Sequence, residues 1–328
     1  MNKKPLYIYL DQNHWIDLAR AHHKHPDGEK YQEVFQTLIK LTEKDIVRLP
    51  LSFYHFVETL KIKNQDRKEK LAQTMTLLSK GWGMALVDDI APIEIQKASA
   101  LLFNHSIPTP PKIFVRDISL IFGIDPKKIL DRLSAITGFP IDFLQEHLPS
   151  LVHTPENLYS FLTGNAYDEK EFEKGINGYL QGIKHFSLLN KNARILTKPL
   201  NKKQFRKTFI SDYFTRPDTK EIFAKALAIY GYSLSDMLIE GNETAIAFFE
   251  NIPSLNVESM LVTLRNIQQD KKIDENDWAD LRYLMIALPY ADIVVTENFW
   301  QDLIKKSKLD KKYQTVVLRK ISELSEYI

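Results

Sequence analysis

The chain contains no cysteine, which excludes disulfides, thiolate zinc sites and cysteine nucleophiles together. That absence also fits a cytoplasmic location. Glycine is scarce, 11 in 328 residues, and no glycine-rich linker, tandem repeat or low-complexity tract occurs. Neither the P-loop pattern nor His-Glu-x-x-His is present, so nucleoside triphosphatase and zinc protease readings have no support. No apolar run approaches the length of a membrane span. Met1–Pro5 carries two lysines but passes straight into a short apolar stretch that ends in an acid, which is not a signal peptide. Neither sign of charge dominates, with 44 Lys and Arg against 42 Asp and Glu. Only the local distribution of charge can therefore point to a partner. What remains is ordinary globular composition, 44% hydrophobic and 26% charged, enough for one large or two modest domains. Scarce glycine with abundant Leu, Lys and Glu favours helices.

The first ordered stretch organises the rest. Tyr7-Ile8-Tyr9-Leu10 has no polar alternation and reads as a strand buried on both faces, as in a parallel sheet. It runs into Asp11, after which Trp15, Leu18 and Ala19 recur at helical spacing, with Asp11 or Asn13 able to cap the helix. A strand ending in an acid and handing over to a helix puts the carboxylate at the carboxyl edge of the sheet, where open α/β sheets keep their ligands. Taken alone, Asp11 reads first as a cap or turn residue, and the rest of the chain shifts that balance.

The motif returns along the chain. His22-His23-Lys24-His25-Pro26-Asp27-Gly28 is a turn-rich break whose clustered histidines lack a nearby carboxylate framework. Residues 29–43 then form an amphipathic helix. A second strand, Ile46–Leu51, is followed by Ser52 as N-cap of a helix carrying Glu58 in its second turn. A third strand is predicted within Gly81–Asp88. Near the end, Asp274 and Asp277 resemble a capping arrangement, and Asp277 and Asp280 stand three apart near a helix's positive end. Pro289 stops that helix; Asp292–Thr296 is a fourth strand ending in Thr296-Glu297-Asn298; and Tyr313–Leu318 is a fifth. Between them, residues 91–270 read as helices separated by proline-rich turns, with no strand–acid motif. The expected organisation is a discontinuous α/β domain, 1–90 with 271–328, and a helical insertion at 91–270. Within the insertion, Lys184 to Lys207 holds eight lysines and arginines and no acid, including Lys198, Lys202, Lys203, Arg206 and Lys207. Interleaved His185, Phe186, Phe205 and Phe209 suit phosphate contacts with stacking partners, or else a solvated helix face with aromatics in the core.

Strands joined by helices make a parallel sheet with right-handed crossovers, so their carboxyl ends share one side and acids distant in sequence can meet. Two carboxylates about 4 Å apart repel by roughly 4 kcal/mol at an effective dielectric of 20. One must be protonated, or a divalent cation must neutralise them. An all-oxygen ligand set suits Mg2+ or Mn2+ rather than zinc.

Leu10-Asp11-Gln12-Asn13, Pro50-Leu51-Ser52 leading to Glu58, Asp280 on a helix, and Ala291-Asp292-Ile293-Val294-Val295-Thr296-Glu297-Asn298 resemble the successive motifs of PIN-like nuclease domains. The resemblance covers roughly residues 1–90 and 271–328. It implies a five-stranded parallel sheet flanked by helices, and cleavage of RNA, or DNA, with Mg2+ or Mn2+ held by three or four acids. By resemblance Asp11 is the first acid, Glu58 the second and Asp280 the third. Glu297 or Asn298 supplies the fourth position, since the family usually has Asp or Asn shortly after the threonine. Asn13 and Thr296 would orient ligands, Asp292 would be structural or outer-shell, and Lys61 and Arg282 are candidate phosphate partners. The implied roles are a toxin, an antiviral defence effector or a processing enzyme, with RNA as substrate, a possible regulatory protein partner and no membrane. Two rivals stand beside this reading. A phosphatase using Asp11 as nucleophile would want a second acid where the chain has Asn13. A non-catalytic RNA-binding or protein-interaction module would keep the fold without holding metal.

Overall fold

A computed structural model describes residues 4–116, 118–122, 138–144, 154–165, 200–239, 242–268 and 276–328, with isolated positions between them. Lys198, Asp274 and most of the Lys184–Lys207 strip lie outside the described residues.

The architecture is mixed α/β. A four-stranded parallel sheet has the order β2-β1-β5-β6, built from β1 (Leu6–Leu10), β2 (Val47–Arg48), β5 (Ile293–Val295) and β6 (Val316–Leu318). Among the described residues the parallel sheet has four strands, where the sequence led to the expectation of five. The third strand, β3, is only Gly83–Met84, and it pairs antiparallel with β4 (Phe114–Val115) in a separate two-stranded sheet. A single parallel bridge, Leu51 to Gly83, joins it to the chain leaving β2. The reason is local: Val87 already begins a helix, leaving little extended chain to pair.

Alternate side chains of β1 and β5 explain why no polar residue interrupts them. Ile8, Leu10, Ile293 and Val295 enter one apolar cluster, and Tyr9 and Val294 the other. Each fully buried aliphatic side chain contributes about 1.5–3 kcal/mol, so both faces must be covered. On the first face lie α1 (Gln12–His22), α2 (Gln32–Glu43), α3 (Phe53–Leu60) and α4 (Gln65–Ser79), with a 3-10 turn at Pro26–Tyr31. After α5 (Val87–Leu102), α6 (Ile118–Phe122) and α7 (Pro155–Thr163) come α8 (Lys202–Thr215), α9 (Pro217–Ala228), α10 (Leu234–Ile239), α11 (Asn242–Glu250) and α12 (Pro253–Ile267). The chain closes with α13 (Asn276–Tyr290), α14 (Asn298–Ser307), α15 (Leu309–Tyr313) and a 3-10 turn at Ile321–Glu326.

Several boundaries differ from expectation. The second strand is two residues long, α2 starts only after the 3-10 turn, and α13 runs through Pro289 in its last turn. A proline late in a helix forfeits one backbone bond without ending it. The helical region is not free of strands, since β4 lies in it, and α5 runs through residue 90. Phe205, Phe214, Phe223, Phe248 and Leu261 share one apolar cluster with Tyr9, Leu284 and Val294. No helix of the described residues is long and apolar enough to cross a membrane.

Candidate active site

The carboxyl ends of β1 and β5 lie side by side, because Leu10 pairs with Val295 and the Asp11 N–H donates to the Val295 carbonyl at 3.0 Å. Asp11 occupies the N-cap position of α1, but its side chain makes no cap bond. It is buried, at 5% exposure. Burial first, then the charges of Glu58 and Glu297, push its carboxyl up from 3.8 to about 7, and the Gln12 and Asn13 amides pull it back only in part. Glu58, half-buried on α3, is pushed up from 4.5 to about 7 by burial, with Lys61 opposing and Glu297 adding to the rise. Asp280, half-buried on α13, is raised well above the usual carboxylate range by burial, by Asp11 and further by Glu58 and Glu297. A hydrogen bond from Trp300 Nε1 to Asp280 Oδ2 at 2.8 Å works the other way. Three acids from three separate stretches are thus raised together, each in part by the charge of Glu297, and without a cation Asp11 and Glu58 are partly protonated near neutral pH.

The fourth position can be read from the same contacts. Glu297 is exposed at the N-cap of α14, and its Oε1 accepts from Asn13 Nδ2 at 2.9 Å. Its charge reaches Asp11, Glu58 and Asp280. Asn298 is exposed, and no side-chain hydrogen bond links it to these acids among the described residues. Among the described residues, no group of three or more His, Asp or Glu side chains is placed so that it could hold a metal ion.

Beneath the acids lies a layer that sequence reasoning missed. His55 Nδ1 accepts from the Ser52 N–H at 2.9 Å, so Nε2 carries the proton and donates to the Leu10 carbonyl at 2.8 Å. Burial lowers this imidazole from 6.5 to about 3, leaving it neutral. It ties the start of α3 to the residue before Asp11, and the visible signal was Ser52-x-x-His55, a capping box with His in place of Glu or Gln. Tyr9 shares a hydrogen bond with Ser52 Oγ at 3.0 Å and stacks on Tyr283 at 4.7 Å. Tyr283 shares one with Thr296 Oγ1 at 3.3 Å. Thr296 is therefore buried in this layer, set to hold the end of β5 rather than to meet a ligand. Gln12 Nε2 donates to Thr59 Oγ1 at 3.2 Å, fixing α1 to α3 beside Glu58.

Other expected residues are engaged elsewhere. Asp292 sits at the amino end of β5, where its Oδ2 accepts from the Tyr7 N–H at 2.8 Å, so its role is in the sheet. Asp277 is buried against Arg265 instead of facing the cluster with Asp280. Arg282, two residues past Asp280 and so about 200° around the helix, pairs with Asp88 and lies 5.0 Å over the Trp278 ring. It does not serve as a phosphate partner. In the basic strip, Arg206 pairs with Glu250 at 2.6 Å and donates to Asn256 at 2.9 Å, which makes it a tie between α8, α11 and α12. Lys202, Lys203 and Lys207 are exposed.

No family model, curated protein or solved structure matches the chain.

Proposed function

We propose that the chain is a metal-dependent nuclease, an endoribonuclease of PIN-like design, with Asp11, Glu58, Asp280 and Glu297 as its acids. The observation that carries this reading is the mutual electrostatic coupling of buried or half-buried carboxylates at the sheet's carboxyl edge. Repelling acids kept together at a cost to the fold are the mark of a site prepared for a cation. The strand order supports it too, since the Leu51–Gly83 bridge would set β3 beside β2 and extend the order to five.

The donor set fits Mg2+ or Mn2+, being all oxygen. The lack of such a group of three is no misfit, because Mg2+ keeps several waters and takes one or two carboxylates directly. Asp11, Glu58, Asp280 and Glu297 are the side chains that would hold the ion, directly or through water. Bound there, the ion would supply Lewis acidity toward a phosphodiester oxygen and an activated water. The chain's own groups do the rest. Trp300 donates to Asp280 and so favours its ionised form, Asn13 fixes one oxygen of Glu297, and His55 sets the backbone that carries Asp11. Glu297 Oε2, left open, can take the proton released from an attacking water. RNA is preferred over DNA only by the resemblance, as are the roles of toxin or defence effector.

The test is cleavage of end-labelled RNA by purified protein with Mn2+ or Mg2+, beside Asp11→Asn and a chelator. Loss of at least roughly 100-fold in rate is expected for the variant, the scale on which one electrostatic stabiliser of a transition state is felt. Cleavage that survives both controls would sink the proposal. A second reading, the non-catalytic binding module, draws on the absence of such a group of three among the described residues. No cleavage together with no Mn2+ binding by calorimetry would select it.

A further inference from the structure

A cleft of about 600 Å3 lies between α1, the 3-10 turn at Pro26–Tyr31 and the start of α4. That is the size of a small-molecule site, for which an apolar surface with a few placed polar groups is usual. Ile16, Ala19, Ile62 and Leu71 supply the apolar lining. Arg20, Lys24, Arg67 and Lys70 line it as well, against only Asp27 and Asp66. Arg20 is held by Asp17 at 3.0 Å and Lys70 by Asp66 at 2.7 Å. The Lys24 ammonium and the Arg67 guanidinium are exposed and have no acidic partner among the described residues.

The clustered histidines noted in the sequence find their place here. They do not form a metal site among the described residues. His22 Nδ1 meets Thr74 Oγ1 at 2.9 Å, His23 Nε2 donates to the Lys70 carbonyl at 3.1 Å, and His25 Nδ1 accepts from the Asp27 N–H at 3.2 Å. His23 and His25 line the cleft. The turn is held against α1 by Gly28, where an added Cβ would come within 2.3 Å of the Arg20 carbonyl carbon.

The cleft also continues the acid cluster. Asn13, which holds Glu297, is followed at spacings of three and four by Ile16 and Arg20, so all three share one face of α1, and His23 follows at its end. Ile62 follows Glu58 by four residues on the other wall. Arg20 is about 10 Å along the helix from Asn13, within reach of a nucleotide or two.

We propose that this cleft binds a nucleotide, its phosphate between Lys24 and Arg67 and its nucleoside on the apolar lining. The nucleotide has two possible sources, a single strand passing off the acid cluster or a free mononucleotide. The first rests on the nuclease reading and the second does not.

Binding is measured in EDTA, so that no cleavage intervenes. Anisotropy with a short single-stranded RNA, and calorimetry with a nucleoside monophosphate and with inorganic phosphate, compare the native protein with Lys24→Glu/Arg67→Glu. Lys202→Glu/Lys203→Glu is the control for surface charge outside the cleft. Both pairs are exposed, and thermal melts verify that each variant folds. A strand source predicts at least a tenfold loss of RNA affinity at low salt for the cleft variant only, with the salt slope reduced by about 0.7 for the one phosphate held there. A free-nucleotide source predicts monophosphate binding that exceeds phosphate binding and is lost in the same variant. RNA affinity unchanged by the cleft variant, with no monophosphate binding to the native protein, overturns the proposal; so does equal loss in the control. Absent metal-dependent cleavage with cleft binding intact would count against the nuclease reading alone.

Discussion

Trp300 is the residue on which the state of Asp280 turns. A hydrogen bond to an ionised acceptor contributes about 1.5–3 kcal/mol, and here it opposes burial and three neighbouring acids. Trp300→Phe keeps most of the buried ring and removes the N–H. Mn2+ affinity measured by calorimetry is expected to fall about 10–100-fold, the usual effect of a group that orients a metal ligand. Asp11 allows a test without metal. The folded protein holds its proton up to about pH 7, whereas the unfolded chain releases it near pH 4. The folded state therefore binds more protons in that window, and stability falls as pH rises through it. Asp11→Asn removes this cost. At pH 8, in EDTA, the variant is expected to be more stable than the native protein by on the order of 2–4 kcal/mol, at about 1.4 kcal/mol per pKa unit. The gain should vanish near pH 4, as thermal or urea melts would read. His14 and His55, lowered by burial to about 4 and 3, act in the opposite sense. They lend stability above pH 6.5 that is lost on acidification, and they cancel in the comparison.

At the scale of elements, the site depends on how helices are seated on strand ends. His55 and Ser52 fasten α3 to β1, and Gln12 and Thr59 fasten α1 to α3. The turn after α1 is seated by close approach alone, with Gly28 on the Arg20–Ala21 backbone. Gly28→Ala should push the turn off the helix and cost about 1–3 kcal/mol, the range for overpacking. A melt would read this directly, and an unchanged midpoint would mean that the turn shifts freely. These elements also show what the sequence could disclose. The helix α3 begins where the sequence placed it because a cap, Ser52, precedes its apolar face. The strand β2 was overestimated, because an apolar run such as Ile46–Leu51 says nothing of where its pairing partner stops.

For the whole molecule, the expectation of a separable helical insertion meets a shared core. α12 packs on α13, and its Leu261 and Val262 lie in the same cluster as Leu284 and Leu288. Glu94 on α5 is buried while accepting from Ser254 of α12 and Tyr290 of α13. Excision of residues 91–270 would expose that apolar face and strand Tyr290 without its partner. The remaining chain is expected to lose cooperative unfolding, as a circular dichroism melt would show. A sharp transition would mean that the α/β part stands alone.

Local pattern alone determined the parallel-strand character of β1, the cap of α3, and the placing of Asp11 at a strand end and of Glu58 and Asp280 on helices. Each follows from side-chain type at a spacing of two, three or four. The tertiary structure alone set Glu297 beside Asn13, since only packing brings those two together. It assigned Arg282, Arg206, Asp277 and Asp292 to internal partners, and drew His55, Tyr283 and Trp300 under the acids. A side chain's charge is written in the sequence. Which of several oppositely charged or hydrogen-bonding groups it meets depends on contacts between residues up to 285 positions apart, and no local period encodes those.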